Sequence, residues 1–482
     1  MRFSDYFPVP WSKSRPSLSL PAHQGDEVVT KPTKGWRKMA ILIAVAVALF
    51  FVLIYRLRAS QWALSVPWIP DPASLAFTKE NRLPPASDLA PPISSYSLPL
   101  STQGRDIVDA RGKRVKLASV NWYGASDELF VSGGLDVKHR DEIARLIRKL
   151  GFNSVRLPYS DELVIENPVV RDEDVAANPD LIGKTALDVF TATVKSLTKE
   201  GVAVIVNNHI TRASWCDGFD LCDAAWSNDH LGPFCKVRQT EEEWIQHWET
   251  IMEPLVSDPY VIGVDLRNEV RGLWGTMSWA KWAAAAEKCG DRLLAMNPDW
   301  LVVVGGISSG NDLSGAATRP VRLSVARDRV VYSSHSYSWS GWGEPWKGMY
   351  AKRNYESFVS TVRRHWGYLL ENDIAPVWVG EFGAPGRPGV GDARYWRHLV
   401  RYLTALDADF GYWALNPRKV GLSGSKEETY GLVREDWETP VLDYRMKDMI
   451  GLMKVQEPNR YRVEDGERRE AEDDVDGKAW EL

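Results

Sequence analysis

Eight short apolar runs separated by segments of helical period constrain this chain more than any other feature. The runs cover residues 115–122, 154–157, 203–208, 261–268, 301–305, 330–335, 377–380 and 410–415. Helical-period segments fall between most of them, at 140–149, 185–199, 241–255, 279–296, 355–370 and 393–406. A short run that is apolar throughout suits a strand buried on both faces, and strands alternating with helices pair in parallel through crossovers. Over the 355 residues of 101–455 this predicts an α/β fold, a closed (β/α)8 TIM barrel. No Gly-x-Gly-x-x-Gly turn follows a run, which argues against a dinucleotide fold.

In such a barrel, chemistry collects where strands end. The run ends carry Asn121-Trp122, Arg156, Asn208-His209, Asn268-Glu269, His335-Ser336-Tyr337, Glu381-Phe382-Gly383 and Trp413. Each alone reads as an ordinary hydrogen-bonding or packing residue; the succession does not. Breaking a glycosidic bond takes one carboxylic acid to protonate the leaving oxygen and a second carboxylate at the anomeric centre. Glu269 and Glu381 close the fourth and seventh runs, which face one another across a barrel mouth. Arg156 supplies a positive charge that favours the ionised form of a nearby carboxylate, while Asn268 can orient a sugar hydroxyl.

These motifs resemble glycoside hydrolase family 5, the cellulase-like barrel enzymes, over residues 101–455. Arg156 sits in Ser-Val-Arg-Leu-Pro, His209 in Asn-Asn-His, and Asn268-Glu269 matches the family's Asn-Glu pair. His335 and Tyr337 match its His-x-Tyr, and Glu381 lies in Val-Gly-Glu-Phe-Gly. The resemblance implies that Glu269 is the acid/base, Glu381 the nucleophile supported by Tyr337, and Trp413 the floor of the sugar site. It also implies a cis peptide at Trp413–Ala414. Val270 stands where many relatives have proline, a change at the turn and not at the catalytic atoms. Retention of configuration through a glycosyl-enzyme intermediate requires the two carboxyl groups about 5–5.5 Å apart. Transfer to an acceptor sugar on the same scaffold, and an idle carbohydrate-binding protein, remain open alternatives.

The 22 tryptophans divide by position. Trp244, Trp248, Trp279, Trp282, Trp366 and Trp396 fall on helical segments and are expected to pack. Trp122, Trp215, Trp339, Trp342, Trp346 and Trp413 fall at or beyond run ends, where sugar rings can stack, with 338–343 forming a rim loop. Residues 211–237 form a long connection expected to wall the cleft. Four cysteines permit three pairings in an oxidising compartment; short-range closure favours Cys216–Cys222 with Cys235–Cys289. No histidine spacing suggests a metal, and no cofactor is implied.

Outside the barrel, residues 39–55 are uncharged and apolar, preceded by Lys31, Lys34, Arg37 and Lys38 and followed by Arg56 and Arg58. This reads as a transmembrane signal anchor with residues 1–38 cytosolic and the catalytic domain luminal or extracellular. Eight prolines between Ser60 and Leu100 predict an extended stem over 56–100. Residues 456–482 are read as an acidic, disordered tail, with nine acidic and three basic residues from Glu464 on. A net charge of −5 offers no footprint for nucleic acid.

Overall fold

A computed structural model describes residues 34–70, 83, 85, 89–216, 218–272, 276–341, 348–422 and 424–455. Residues 1–33, the 456–482 tail, and Trp342 and Trp346 of the rim loop lie outside the described residues. The chain divides into two compact units, 1–61 and 62–482.

Eight parallel strands close the barrel. They are β3 (Ala118–Asn121), β4 (Ser154–Ser160), β5 (Ala203–Ile210), β6 (Val261–Asp265), β7 (Leu301–Gly305), β8 (Val330–Ser336), β9 (Val377–Phe382) and β10 (Asp409–Tyr412). The last of them pairs with both β9 and β3, which closes the ring. Each descends from one of the eight apolar runs, and every residue in all eight is buried. A two-residue alternation sorts them. In β3 and just beyond, Ala118, Val120 and Trp122 face outward into the layer between strands and helices. Ser119 and Asn121 face the barrel interior, where they meet Ser154 and Arg156.

The surrounding helices include α2 (Arg140–Lys149), α3 (Asp161–Glu166), α4 (Ala186–Lys199), α5 (Glu241–Met252), α6 (Trp279–Met296), α7 (Tyr355–Val362), α8 (Val390–Leu406) and α9 (Tyr444–Leu452). Capping boxes start two of them, Thr185 with Asp188 on α4 and Thr240 with Glu243 on α5. The expected helix over 355–370 is broken after α7 by a π-helical turn, Arg363–Gly367. Gly367 there lies under the Tyr402 hydroxyl of α8, a place no Cβ could occupy. The helical tryptophans pack as expected: Trp244, Trp248, Trp279, Trp282, Trp366 and Trp396 are all buried.

The stem reading is corrected at both ends. Helix α1 runs Lys34–Ser65, past the expected end at 55. Within it, Lys38–Ser65 is long and apolar enough to cross a membrane. Residues 66–68 then pair with the barrel, Trp68 N–H donating to Pro388 O at 3.0 Å and Val390 N–H to Val66 O at 2.8 Å. Residues 89–100 are folded as well. Ile93, Tyr96 and Leu100 are buried beneath the barrel with Ile107, Leu117 and Trp378. There they lie beside the hairpin β1 (Ser101–Gln103) and β2 (Asp106–Val108), which opens the 101–455 region. The prolines set an extended backbone, but the apolar residues between them had a surface to bury.

Candidate active site

Arg156, deep in β4, organises the mouth. Its guanidinium donates to Asp265 Oδ2 at 2.7 Å, Asn121 Oδ1 at 3.1 Å, Asn268 Oδ1 at 2.8 Å, and Glu381 Oε1. Burial opposes its charge, but Asp265 and Glu381 outweigh that and hold it above its ordinary value.

The other oxygen of Glu381 accepts from the Tyr337 hydroxyl at 2.9 Å. Burial, reinforced by the negative charges of Glu381 and Glu269, keeps that hydroxyl protonated well above its usual range. His335 sits between the two glutamates, Nδ1 lying 3.1 Å from Glu269 Oε1 and 3.6 Å from Glu381 Oε2. These three side chains present donor atoms within 4.8 Å of one another, so the two carboxylates stand at the close spacing of a retaining pair. Gly310, at φ +75°, backs the His335 ring; a side chain there would strike it.

Two backbone features aim the carboxylates. Glu269 itself adopts the left-handed region at φ +46°, a conformation that surrounding structure must enforce. Glu381 is turned inward by a β-bulge. Ser333 and His335 of β8 pair with Trp378 and Glu381, and Phe410 and Tyr412 of β10 pair with Val379 and Phe382. Both neighbours thus record one extra residue in β9 between Trp378 and Phe382. Asn121 Nδ2 donates to Gly380 O at 3.0 Å, holding the bulge.

Trp413 lines the cleft with its ring 4.9 Å from Tyr123 and 5.6 Å from His209, both nearly parallel to it, and the Trp413–Ala414 peptide is cis. His209 Nδ1–H donates to Asn207 Oδ1 at 2.8 Å. Burial, together with the positive charge of Arg156, pushes it down to about 3, so it is neutral at ordinary pH. The cleft encloses about 380 Å³, walled by Trp215, Trp339, Asp127, Lys419, Glu428 and Tyr430.

Of the residues singled out from sequence, Arg156, His209, Asn268, Glu269, His335, Tyr337, Glu381 and Trp413 converge on the mouth, with Asn121 just beneath. Trp122 does not. It is fully buried on the outward face, donating its indole N–H to Gly133 O at 2.9 Å, and Tyr123 reaches the cleft instead. The disulfide is also corrected. Cys222 pairs with Cys235, their Cα atoms 5.5 Å apart, while Cys216 and Cys289 are free thiols. Cys216 lines the cleft beside Asn268, where burial and the charge of Asp223 push its thiol up, and Cys289 is buried on α6.

Sequence reasoning missed Asp265, Asp127, Lys419, Glu428 and Tyr430. Asp265 carried a signal, a lone carboxylate inside an apolar run. Lys419 and its neighbours did not: they sit on a polar hairpin, β11 (Arg418–Gly421) and β12 (Gly424–Glu427), with no apolar pattern.

Residues 108–419 match the cellulase family, glycosyl hydrolase family 5. An endoglucanase of Paenibacillus polymyxa is 30% identical over 396 residues, covering 78% of this chain and 91% of that protein. A glycosyl hydrolase 5 family protein of Chamaecyparis obtusa is 30% identical, over 76% of this chain and 67% of its own. Among solved structures, the catalytic domain of the major endoglucanase from Xanthomonas campestris pv. campestris aligns with a TM-score of 0.60 at 26% identity. That alignment covers 73% of this chain and 99% of the other.

Proposed function

This chain belongs to glycosyl hydrolase family 5, the cellulase family, and on that premise we propose that it cuts internal bonds of a β-glucan with Glu381 as nucleophile and Glu269 as acid/base. Membership makes it a retaining β-glycoside hydrolase of β-glucan-type substrates. Endo-action is supported by the endoglucanases among its relatives. The close carboxylate pair, one member held by Arg156 and Tyr337 and the other facing His335, carries the assignment of roles.

In the first step a Glu381 oxygen bonds to the anomeric carbon as the glycosidic C–O bond breaks, and Glu269 gives its proton to the departing oxygen. In the second step Glu269 takes a proton from water, whose oxygen bonds to the anomeric carbon and releases Glu381. Arg156 and Tyr337 fix both oxygens of the nucleophile, so little reorganisation is needed as its charge is spent. Neutral His209 and the amide of Asn268 are placed to hold sugar hydroxyls, and Trp413 is the face on which the reacting ring rests.

Replacing each glutamate tests the roles. Glu381→Gln is expected to lose turnover on every substrate, whereas Glu269→Gln should lose about 10²–10⁴-fold on a glucan yet still form the intermediate from an aryl glycoside, whose leaving group needs no proton. Full glucan activity in either variant refutes the assignment.

For the amino-terminal unit, the apolar helix and the basic residues ahead of it support a single-pass anchor with residues 1–38 cytosolic. In sealed vesicles of that orientation, external protease should remove the residues before 39 and leave the barrel intact; digestion of the barrel instead would reverse it.

A further inference from the structure

The connection after β5 exposes apolar side chains on a stretch closed by a disulfide. Phe219, Leu221 and Phe234 are 87%, 39% and 70% exposed, and Trp215, at 39%, begins the same stretch. The Cys222–Cys235 disulfide ties together the two turns of this connection that carry Leu221 and Phe234, with the cysteine Cα atoms 5.5 Å apart. Beneath, Asp223 accepts from Arg267 at 2.6 Å and from Thr211 N–H at 2.7 Å. Asn228 Nδ2 donates to Cys222 O at 2.8 Å and Val237 O at 3.0 Å. Exposed apolar patches of this kind mark binding surfaces.

Its position selects the occupant. Trp215, Cys216 and Gly218 line the cleft itself, and Phe219 and Leu221 follow them along the chain. Arg271, two residues beyond Glu269, donates to Asp220 O at 3.0 Å and so ties the patch to the loop bearing the proposed acid/base. Glu269 protonates the departing oxygen, which places the patch on the leaving-group side. The geometry points to an accessory binding surface on which Phe219, Leu221 and Phe234 carry the leaving-side stretch of a long β-linked glucan, beyond the sugars held in the cleft. Phenyl faces suit the apolar faces of β-linked pyranose rings, and no charge need be matched. This inference rests on the proposed roles of the two glutamates.

The test compares substrates of different length on the full chain. In Phe219→Ala/Phe234→Ala, kcat/KM on swollen cellulose should fall about five- to tenfold, the factor lost with a ring contact or two, with the loss in KM. Turnover of an aryl β-cellobioside, too short to reach the patch, should not change, and Phe219→Tyr/Phe234→Tyr should restore the polymer rate. Unchanged polymer kinetics, as a membrane- or protein-facing role of the patch would give, overturns the inference, and so does an equal loss on both substrates. A wild-type chain that cuts neither substrate fails the underlying assignment, and this surface falls with it.

Discussion

Strict alternation would place Glu381 on the outward face with Val377 and Val379, among helices that offer it no partner. A buried, unpaired carboxylate there would be strongly destabilising. The extra residue in β9 moves it to the interior, where Arg156 and Tyr337 take both its oxygens. The same counting explains Trp122, which takes the outward position one step beyond Asn121 because no bulge intervenes in β3. A run end read from sequence names the right neighbourhood, but a single residue of register decides the face. Asp127 shows a second residue-scale effect that no motif announces. Burial raises its carboxyl from 3.8 to about 7; the Ser126 hydroxyl opposes this, Glu128 adds to it, and Lys419 opposes it. Between these two values the unfolded chain has released a proton that the folded chain keeps. Stability therefore falls as pH rises through that window, by at most about 4 kcal/mol, and levels off above it. Asp127→Asn keeps the neutral shape and lacks that slope. Its Tm should gain on the wild type as pH goes from 4 to 8; parallel profiles would show that Asp127 ionises normally.

At the scale of elements, cysteine pairing depends on where loops fold back, which sequence separation does not encode. Cys216 lies seven residues before Asp223, whose anchorage by Arg267 draws the chain down and leaves Cys216 facing Asn268 in the cleft. The Asn228 bonds to Cys222 O and Val237 O close the loop so that Cys222 meets Cys235. Peptide mapping without reductant should recover one cross-linked pair, Cys222 with Cys235, and alkylated Cys216 and Cys289; a Cys216–Cys222 peptide would contradict the fold of this loop. With a separation of 13 residues, replacing both partners by serine should cost about 3 kcal/mol in the chain-entropy view. By contrast, the strands and most helices were legible, because all-apolar runs and amphipathic segments are dictated by burial on both sides of a closed sheet. The catalytic pair was legible for the same reason, since polar residues at the ends of such runs stand out. The hairpin bearing Lys419 was not, since its exposed residues follow no burial pattern.

At the scale of the whole molecule, the catalytic unit begins earlier than its barrel pattern. Proline content alone describes 56–100 as spacer, yet Ile93 and Leu100 are 0% and 2% exposed and Tyr96 is 7% exposed under the barrel. They cover Ile205, Ile262, Val303 and Trp378 at the end of the barrel opposite the site. Asn153 Nδ2 donates to Pro91 O at 3.0 Å and Arg148 to Ala90 O at 2.9 Å, so the segment also satisfies polar groups of the barrel. Burying three such side chains contributes roughly 1.5–3 kcal/mol each, a large share of the 5–15 kcal/mol that stabilises a typical domain. A 101–455 fragment, cut where the apolar runs become regular, should therefore melt well below a 62–455 fragment, or fail to fold. The longer fragment keeps both the buried segment and the Trp68–Pro388 pairing, and should retain glucanase activity without the apolar helix. Equal melting temperatures for the two fragments would show that residues 89–100 are the spacer their prolines suggest.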